Sequence, residues 1–181
     1  MRKIKTLFMR DKDNRRFVIR EVEPDCKWVV AGEGSSTRKY DGTCVMFDGD
    51  RWWARREVKI GKVPPPGWQS LQADDVTGKT VGWEPAEQSA FAKYLAEATA
   101  ALDLQEPGTY ELIGPKINGN PEGESAHRVV AHALADVLDI PDRSYDGLAT
   151  FLAAAPAMEG IVWHHPDGRM VKIKRRDFSP S

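Results

Sequence analysis

The sequence contains little cysteine and no long apolar run. Cys26 and Cys44 are its only cysteines, too few for a disulfide framework or, by themselves, for a four-ligand zinc site. The longest uncharged apolar stretches, such as 98–102 and 147–158, are far shorter than a membrane-spanning helix. The basic start at residues 1–5 has no apolar segment behind it that would make a secretory signal. These absences predict a soluble cytoplasmic protein with no membrane contact.

Length and composition are those of one folded domain. A chain of 181 residues is long enough for one hydrophobic core, since chains of about this size bury roughly 70% of their unfolded surface. Apolar residues make up 41% of the sequence and charged residues 29%, which excludes a disordered tail.

The net charge of −1 hides a segregation of charge along the chain. Residues 1–20 carry eight Lys and Arg against two Asp, and residues 169–181 carry five against one. Residues 21–168 carry thirteen basic against 24 acidic residues, a balance of −11. Two basic ends around an acidic body suit a polyanion at the ends and a metal ion in the body, although solvated charged faces would give the same counts.

Residue patterning predicts strands towards both ends of the chain and helices between them. The predicted strands are 17–22, 28–30, 43–47, 52–58 and 110–113, with a terminal hairpin of 161–165 and 169–175. The predicted helices are 84–104, 129–138 and 148–155, and residues 62–68 are predicted as a loop. This order indicates an α+β fold rather than alternating βαβ units.

One short segment carries a candidate nucleophile. Residues 37–43, Thr-Arg-Lys-Tyr-Asp-Gly-Thr, place Lys39 at a strand end before a tight Asp-Gly turn. A lysine amine held there becomes a nucleophile if desolvation or neighbouring cations lower its pKa. By itself, a lysine two residues before Asp-Gly is more often part of an ordinary hairpin turn.

Charged residues also interrupt three apolar strands. Glu111 and Glu159 each lie among core-type residues, where a buried carboxylate needs a cation or a polar ligand. Lys172 and Lys174 share one face of a strand because side chains alternate, and a phosphate between them would relieve their repulsion. Outward-pointing carboxylates and an edge strand guarded by lysines would explain each segment separately.

Taken in order, these segments resemble the motifs of covalent nucleotidyltransferases, the superfamily of polynucleotide ligases and capping enzymes. Lys39-Tyr40-Asp41-Gly42 is similar to motif I, Glu111 to motif III, Glu159-Gly160 to motif IV and Lys172-Ile173-Lys174 to motif V. A closer resemblance is to the small ATP-dependent 5′–3′ RNA ligases known from vertebrates, with bacterial and phage relatives. The segments that carry it are 39–43, 53–55, 111–114, 117–121, 159–164 and 167–168.

The resemblance implies a role for each matching residue. Lys39 would attack the α-phosphate of ATP and hold AMP through a phosphoamide bond, and Lys172 and Lys174 would hold that phosphate. Fixed cations suit phosphoryl transfer because charge develops on the non-bridging oxygens. Arg55 would contact the nucleotide sugar or a terminal phosphate.

The resemblance also implies the metal ligands. Glu159 would bind a divalent ion, and Glu111 would contact the ribose or that ion. Carboxylate oxygens are hard ligands, so Mg²⁺ or Mn²⁺ is the expected metal.

Two positions depart from the pattern of the family. Arg38 stands where many ligases have a glutamate before the nucleophile, which leaves adenine recognition open, although its charge would help keep Lys39 neutral. No aromatic residue follows Glu111 by about twenty positions, where some RNA ligases stack the base. His132, or with weaker support His127, would supply the ring, and the alternative for either is a histidine on a helix surface or one whose polar atoms are satisfied by hydrogen bonds.

The resemblance implies one nucleotidyltransferase domain over residues 1–181. A basic lead-in of 36 residues would precede a core of antiparallel sheets with flanking helices from about 37 to 176, and no OB-fold would follow, because only seven residues lie beyond Lys174. The predicted function is an ATP-dependent RNA ligase that joins RNA 5′-phosphate and 3′-hydroxyl ends through a lysyl-AMP intermediate. The alternatives are a non-catalytic RNA-binding module on the same fold and a DNA ligase or other nucleotidyltransferase. The sequence does not determine the oligomeric state.

Overall fold

A computed structural model of the protein describes residues 3–74, 78–100, 102 and 106–179, which form twelve β-strands and three α-helices. In chain order the strands are β1 Lys5–Thr6, β2 Phe8–Arg10, β3 Val18–Val22, β4 Ser35–Lys39, β5 Thr43–Phe47, β6 Trp52–Lys59, β7 Gln69–Asp74, β8 Lys79–Pro85, β9 Gly108–Ile113, β10 Arg128–Ala131, β11 Gly160–His164 and β12 Met170–Lys174. The helices are α1 Lys27–Val30, α2 Ala92–Thr99 and α3 Tyr145–Ala154.

The chain forms two compact units. Unit 1 consists of Met1–Lys3 and Asp41–Leu134, and unit 2 of Ile4–Tyr40 and Ala135–Ser181. Each unit combines mostly antiparallel sheet with helix, which confirms the predicted α+β class. None of the helices in the described part of the chain is long and apolar enough to cross a membrane.

Unit 2 contains a four-stranded sheet in the order β1-β12-β11-β4 and a separate pair of β2 and β3. The strands of the larger sheet are antiparallel to their neighbours except for β1, which runs parallel to β12. Along β12 the buried Val171 and Ile173 alternate with lysines, so one face of this strand is buried, whereas β11 is buried from Gly160 to Trp163. The core of this unit includes Leu7, Phe8, Val29, Leu148, Leu152, Ile161, Trp163 and Ile173.

Unit 1 contains a six-stranded antiparallel sheet in the order β10-β9-β5-β6-β8-β7. Helix α2 packs on one face through Leu95 and Ala98, where the core also includes Val45, Ala54, Tyr110, Leu112 and Ile117. The opposite face carries a second buried cluster of Cys44, Trp53 and Trp83. Alternation along β5 and β9 therefore places Cys44 and Glu111 on the face away from α2.

Most of the predicted strands are confirmed. β3, β5, β6 and β9 fall at 17–22, 43–47, 52–58 and 110–113, and β11 and β12 form the predicted terminal hairpin. The loop at 62–68 and the helix at 148–155, observed as α3, are also confirmed.

Two predicted elements are wrong. Residues 129–138, predicted as a helix, form part of β10 and a 3-10 turn at His132–Leu134, because β10 pairs with β9 and its two valines favour strand. Residues 28–30, predicted as a strand, belong to α1, a single helical turn that buries Trp28 and Val29.

The predicted helix 84–104 is shortened to α2. Glu84 and Pro85 complete β8, and the Oγ of Ser89 accepts a hydrogen bond from the backbone N–H of Phe91 at 3.2 Å just before α2 begins. Residues 101, 103 and 104 of this prediction lie outside the described residues.

Candidate active site

Lys39 is the last residue of β4, as the sequence predicts. It lies opposite Gly160 of β11, and its Nζ is 2.5 Å from Oε2 of Glu159. Both side chains are largely buried, with 19% of Lys39 and 7% of Glu159 exposed. The ammonium of Lys39 is therefore held by a carboxylate that is shielded from water.

Glu159 is shared between two lysines. Its second carboxylate oxygen, Oε1, accepts a hydrogen bond from Nζ of Lys174 at 2.5 Å, and a guanidinium nitrogen of Arg176 lies 4.0 Å away. Burial raises the pKa of Glu159, but the charges and hydrogen bonds of Lys39 and Lys174 outweigh it and hold the pKa below its usual range. Glu159 is thus kept ionised, which meets the expectation that a carboxylate in this strand needs cationic partners.

Gly160 allows the strands around Glu159 to approach each other closely. A Cβ at this position would lie 2.1 Å from the carbonyl oxygen of Ile173 on β12. The backbone carbonyl of Glu159 accepts the N–H of Arg175 at 2.8 Å, which fixes the start of β11. The glycine that follows Glu159 is therefore required by the close packing of β11 against β12.

Lys172 and Lys174 lie on one face of β12, as predicted, since Val171 and Ile173, which alternate with them, point into the core. Burial, together with the positive charges of Lys174 and Lys39, lowers the pKa of Lys172 to about 8, and the negative charges of Glu159 and Asp177 offset only part of this shift. An anion bound at Lys172 would relieve this repulsion.

A cavity of about 550 Å³ begins at these two lysines. Its lining contains six basic side chains and one acidic side chain: Arg10, Arg15, Arg16, Lys172, Lys174, Arg176 and Asp177. The acid, Asp177, is buried and accepts hydrogen bonds from Arg10 at 2.8 Å and from the backbone N–H of Lys174 at 2.9 Å. The cavity, here called the arginine cavity, therefore has a surplus of positive charge suited to phosphate groups.

Arg38 and Lys39 are neighbours on β4, so their side chains leave opposite faces of the strand. The guanidinium of Arg38 lies over the ring of Tyr40, 4.7 Å from its centroid. The hydroxyl of Tyr40 donates a hydrogen bond to Asp136 at 2.8 Å.

Unit 1 holds Glu111, buried on β9 with 8% exposed. One carboxylate oxygen accepts the backbone N–H of Gly42 at 3.1 Å, and the other lies 3.0 Å from Nε2 of His132. A Cβ on Gly42 would lie 2.2 Å from the carbonyl oxygen of Leu112. The glycine of the Asp-Gly turn is therefore required by the close approach of β9.

Two further side chains fix this turn, and the sequence reasoning assigned no site role to either. Glu122 accepts the backbone N–H of Asp41 at 2.7 Å, and Asn118 donates to Asp41 at 3.1 Å and to the carbonyl of Gly42 at 2.8 Å. Asn118 has a φ of 49°, a left-handed backbone conformation that asparagine adopts more often than most residues.

The two candidate histidines have different settings. His132 follows β10 in a 3-10 turn, and its Nδ1 lies 2.9 Å from the hydroxyl of Thr109, as the alternative of a hydrogen-bonded polar residue expects. His127 stacks on Tyr94 with ring centroids 4.6 Å apart and lies 2.7 Å from a carboxylate oxygen of Glu97.

Arg55 lies on β6, opposite Trp83 of β8. Ala54 pairs with Val45, and Cys44 pairs with Glu111, so alternation places Arg55 on the same face of the sheet as Glu111. The structure thus brings Lys39, Glu159, Lys172 and Lys174 together in unit 2, and Glu111 and His132 together in unit 1 with Arg55 on their face of the sheet.

Partly buried lysines around one glutamate, beside a cavity lined mostly by arginines, can form charge-assisted hydrogen bonds with the phosphate groups of a ligand. Comparison with known families makes this specific. The family model described as RNA ligase 1 matches residues 87–179, just over half of the chain. The chain belongs to the RNA ligase 1 family. The matched residues include Glu111, His132, Glu159, Lys172 and Lys174, whereas Arg38, Lys39 and Arg55 precede them.

Curated relatives agree with the family match. The chain is 33% identical over 85 residues to RNA ligase 1 of Pongo abelii, which covers 43% of this chain and 26% of the relative. It is 35% identical over 80 residues to RNA ligase 1 of Danio rerio, covering 40% and 24%. RNA ligase 1 of Mus musculus is 35% identical over 74 residues, covering 37% and 23%. The chain spans about a quarter of the length of the curated relatives it matches.

Proposed function

We propose that this protein is an ATP-dependent RNA ligase that joins an RNA 5′-phosphate to an RNA 3′-hydroxyl through a lysyl-AMP intermediate, and that residues 1–181 form one nucleotidyltransferase domain. The observation that carries the proposal is the cluster in which Glu159 is shared by Lys39 and Lys174. Membership in the RNA ligase 1 family supports it, since ligation of RNA requires a nucleotide to activate one end.

In the first step, the neutral amine of Lys39 attacks the α-phosphorus of ATP. A nitrogen–phosphorus bond forms, the bond from the α-phosphorus to the bridging oxygen breaks, and pyrophosphate leaves. Lys172 and Lys174 hold the α-phosphate oxygens, where negative charge develops. The pKa of Lys172 is lowered to about 8 by burial and by Lys174 and Lys39, so this lysine gains most from a bound anion.

Glu159 is the residue that fits a divalent cation. It offers a buried, ionised, hard oxygen ligand, and Mg²⁺ or Mn²⁺ is commonly held by one or two carboxylates together with phosphate oxygens and water. When bound, the cation supplies positive charge to the phosphate oxygens. A cation bound to Glu159 would compete with Lys39 and Lys174 for its carboxylate oxygens.

The nucleoside is assigned to residues of unit 1. Glu111 contacts the ribose, and Arg55 contacts the sugar or a terminal phosphate from the same face of the sheet. His132, 21 positions after Glu111, is proposed to stack on the base, and its Nε2 lies 3.0 Å from Oε2 of Glu111. Arg38, next to the nucleophile in sequence, takes the place of the glutamate found in many ligases, and its guanidinium lies over the ring of Tyr40.

In the second and third steps, the 5′-phosphate of RNA displaces Lys39 from AMP, and the 3′-hydroxyl then displaces AMP. The RNA phosphates are proposed to bind in the arginine cavity, which opens from Lys172 and Lys174 and adds Arg10, Arg16 and Arg176 to their charge.

Intact-mass measurement after incubation with ATP and Mg²⁺ tests the proposal directly. We expect the parent protein to gain one AMP, and both Lys39→Ala and Lys39→Arg to gain none, because alanine has no amine and a guanidinium stays protonated. Lys93→Ala is the matched control, since Lys93 is an exposed lysine of α2 and should not alter the adduct. Adduct formation by Lys39→Ala would show that another residue is the nucleophile.

The same samples decide between the enzyme and an RNA-binding module. If the parent protein binds RNA but gains no AMP under any divalent cation, the protein is the non-catalytic module. RNA affinity that is unchanged in Lys39→Ala fits either function, so the mass measurement is the decisive one.

A further inference from the structure

We propose that Cys44, Glu111 and His132 form a binding site for a thiophilic divalent cation, Zn²⁺ above all, separate from the Mg²⁺ or Mn²⁺ assigned to Glu159. One ligand atom of each of these side chains lies within 4.8 Å of the other two. A thiol, an imidazole and a carboxylate are the three ligand types that zinc takes in proteins.

The backbone brings these ligands together. Cys44 on β5 and Glu111 on β9 are directly opposite each other in the antiparallel register, so both side chains leave the same face of the sheet. His132 follows β10, the neighbour of β9 on its other side, and its Nε2 reaches to 3.0 Å from Oε2 of Glu111. The three ligands therefore come from three adjacent parts of one sheet within unit 1.

Neighbouring groups already orient two of the three ligands. Thr109 lies 2.9 Å from Nδ1 of His132, and the backbone N–H of Gly42 binds Oε1 of Glu111 at 3.1 Å. Nε2–H of His132 donates to Oε2 of Glu111, because a carboxylate oxygen can only accept. A cation bound between Nε2 and Oε2 would take the place of this proton, and Nδ1–H would then donate to the Thr109 hydroxyl. Such outer contacts are what fix metal ligands in known sites.

The burial of the ligands favours a bound cation. Cys44 and Glu111 are each 8% exposed, whereas 24% of the His132 side chain is exposed, so an ion can enter beside the imidazole. On binding, the Cys44 thiol releases its proton to solvent and the thiolate and carboxylate together neutralise the charge of Zn²⁺. Three protein ligands leave a fourth position for water or a ligand.

Occupancy would have a consequence for the nucleotide, and this consequence alone rests on the proposed function. Glu111 is assigned to the ribose, so Zn²⁺ on Glu111 and a nucleotide would compete. We expect micromolar Zn²⁺ to lower AMP-adduct formation in the parent protein with Mg²⁺ in excess, and Cys44→Ala to resist this inhibition.

The binding test uses the whole chain with Zn²⁺ or Co²⁺ alone and no nucleotide. Calorimetric titration should give one Zn²⁺ per chain, and Co²⁺ should produce the near-ultraviolet charge-transfer absorption of a cobalt–thiolate bond. Cys44→Ala and His132→Gln should each weaken Zn²⁺ binding by about a hundredfold or more, since even outer contacts are worth roughly tenfold to a hundredfold.

Matched controls separate this site from other thiols and imidazoles. Cys26→Ala and His127→Gln change the same residue types elsewhere and should leave Zn²⁺ affinity within about twofold of the parent. Cys44→Ser nearly keeps the side-chain size, so it serves as the test if Cys44→Ala folds poorly. It should remove the cobalt–thiolate absorption because serine has no sulfur. The proposal fails if the parent shows no cobalt–thiolate absorption, or if Cys44→Ser retains it. Zn²⁺ binding without inhibition of the AMP adduct would leave the site standing and refute only its competition with the nucleotide.

Discussion

Glu159 balances the charge of the lysine cluster, since both of its oxygens accept from ammonium groups and only 7% of its side chain is exposed. Replacing a buried carboxylate leaves its cationic partners uncompensated. The same oxygens are the ones proposed to bind Mg²⁺ or Mn²⁺. One substitution should therefore affect both stability and metal dependence.

We expect Glu159→Gln to lower the free energy of unfolding by about 3–5 kcal/mol, because Lys39 and Lys174 lose their counter-charge. The Mg²⁺ concentration for half-maximal AMP-adduct formation should rise by about tenfold or more. Urea unfolding and metal titration of the adduct measure the two effects. Glu57→Gln, at an exposed glutamate paired with Lys79, is the control, and metal curves that coincide for Glu159→Gln and the parent would contradict the assignment.

The lowered pKa of Lys172 predicts that the stability of the protein depends on pH. Burial and the charges of Lys174 and Lys39 lower its pKa to about 8, from 10.5 in an unfolded chain. Between these values the unfolded chain binds more protons than the folded chain, so the stability contributed by this group rises with pH. The destabilisation caused by the charged Lys172 is fully present below about pH 8 and disappears above about pH 10.5.

Lys172→Met should therefore raise the free energy of unfolding by about 1–3 kcal/mol at pH 7, and by less at pH 10. The measurement is urea unfolding of variant and parent at both pH values. Lys93→Met, at a lysine with 80% of its side chain exposed, should show no such difference between the two pH values. An equal gain at pH 7 and pH 10 for Lys172→Met would mean that relief of charge repulsion is not the cause. The variant should also bind ATP more weakly, because one of the proposed α-phosphate ligands is gone.

At the scale of elements, local pairings were predictable and distant ones were not. The terminal hairpin of β11 and β12 follows from the strand-like runs on either side of Pro-Asp-Gly, and β5 and β6 flank Asp-Gly-Asp. By contrast, β1 pairs with β12 from the opposite end of the chain, and only the fold brings these residues together. The helix predicted at 129–138 failed for the same reason, because pairing with β9 overrides local helical spacing there.

The candidate site divides in the same way. Glu159, Lys172 and Lys174 could be singled out because each is a charged residue among apolar ones, and Lys39 because it lies at a strand end before an Asp-Gly turn. Arg10 and Arg16 could not, since their place in the arginine cavity depends on the position of the first strands beside β12. Charge counts alone located the positive ends without showing that they share a cavity.

Gly160 gives a prediction at the level of the strands. A Cβ there would lie 2.1 Å from the carbonyl oxygen of Ile173, so Gly160→Ala must push β11 and β12 apart. We expect a loss of about 2–4 kcal/mol in urea unfolding, in the range of other overpacked sites. Gly108→Ala is the matched control on β9, since its nearest neighbour would be 3.9 Å from the new Cβ. Equal effects of the two substitutions would contradict the packing reason given for Gly160.

At the scale of the whole molecule, a chain of net charge −1 contains a strongly positive cavity. Arg16 and Arg176 line it from opposite ends of the sequence, whereas Arg175 is exposed outside its lining.

Removing one cation that binds an RNA phosphate should reduce the slope of log affinity against log salt by roughly 0.7 to 1. We therefore expect Arg16→Ala combined with Arg176→Ala to weaken RNA binding and flatten its salt dependence by roughly two units, measured by fluorescence anisotropy. Arg175→Ala should change the slope by less than either cavity variant, and the AMP adduct on Lys39 should form in all of them.

The charge distribution and the family also lead to a prediction of which nucleic-acid ends the protein joins. The arginine cavity is a local positive site on a chain whose residues 21–168 carry a balance of −11, so the phosphates of a long duplex would meet little further positive charge outside it. A 5′-phosphate on a single-stranded loop or at a break in a structured RNA can enter such a cavity alone. We expect the protein to join 5′-phosphorylated RNA to an RNA 3′-hydroxyl in a gel-based assay, and nicked duplex DNA at less than about one hundredth of that rate, which corresponds to roughly 2.7 kcal/mol of discrimination. RNA with a 5′-hydroxyl is the control that should not be joined, because it lacks the group that accepts AMP. Efficient sealing of the DNA nick without joining of RNA would overturn the proposed substrate while leaving the proposed chemistry of Lys39 intact.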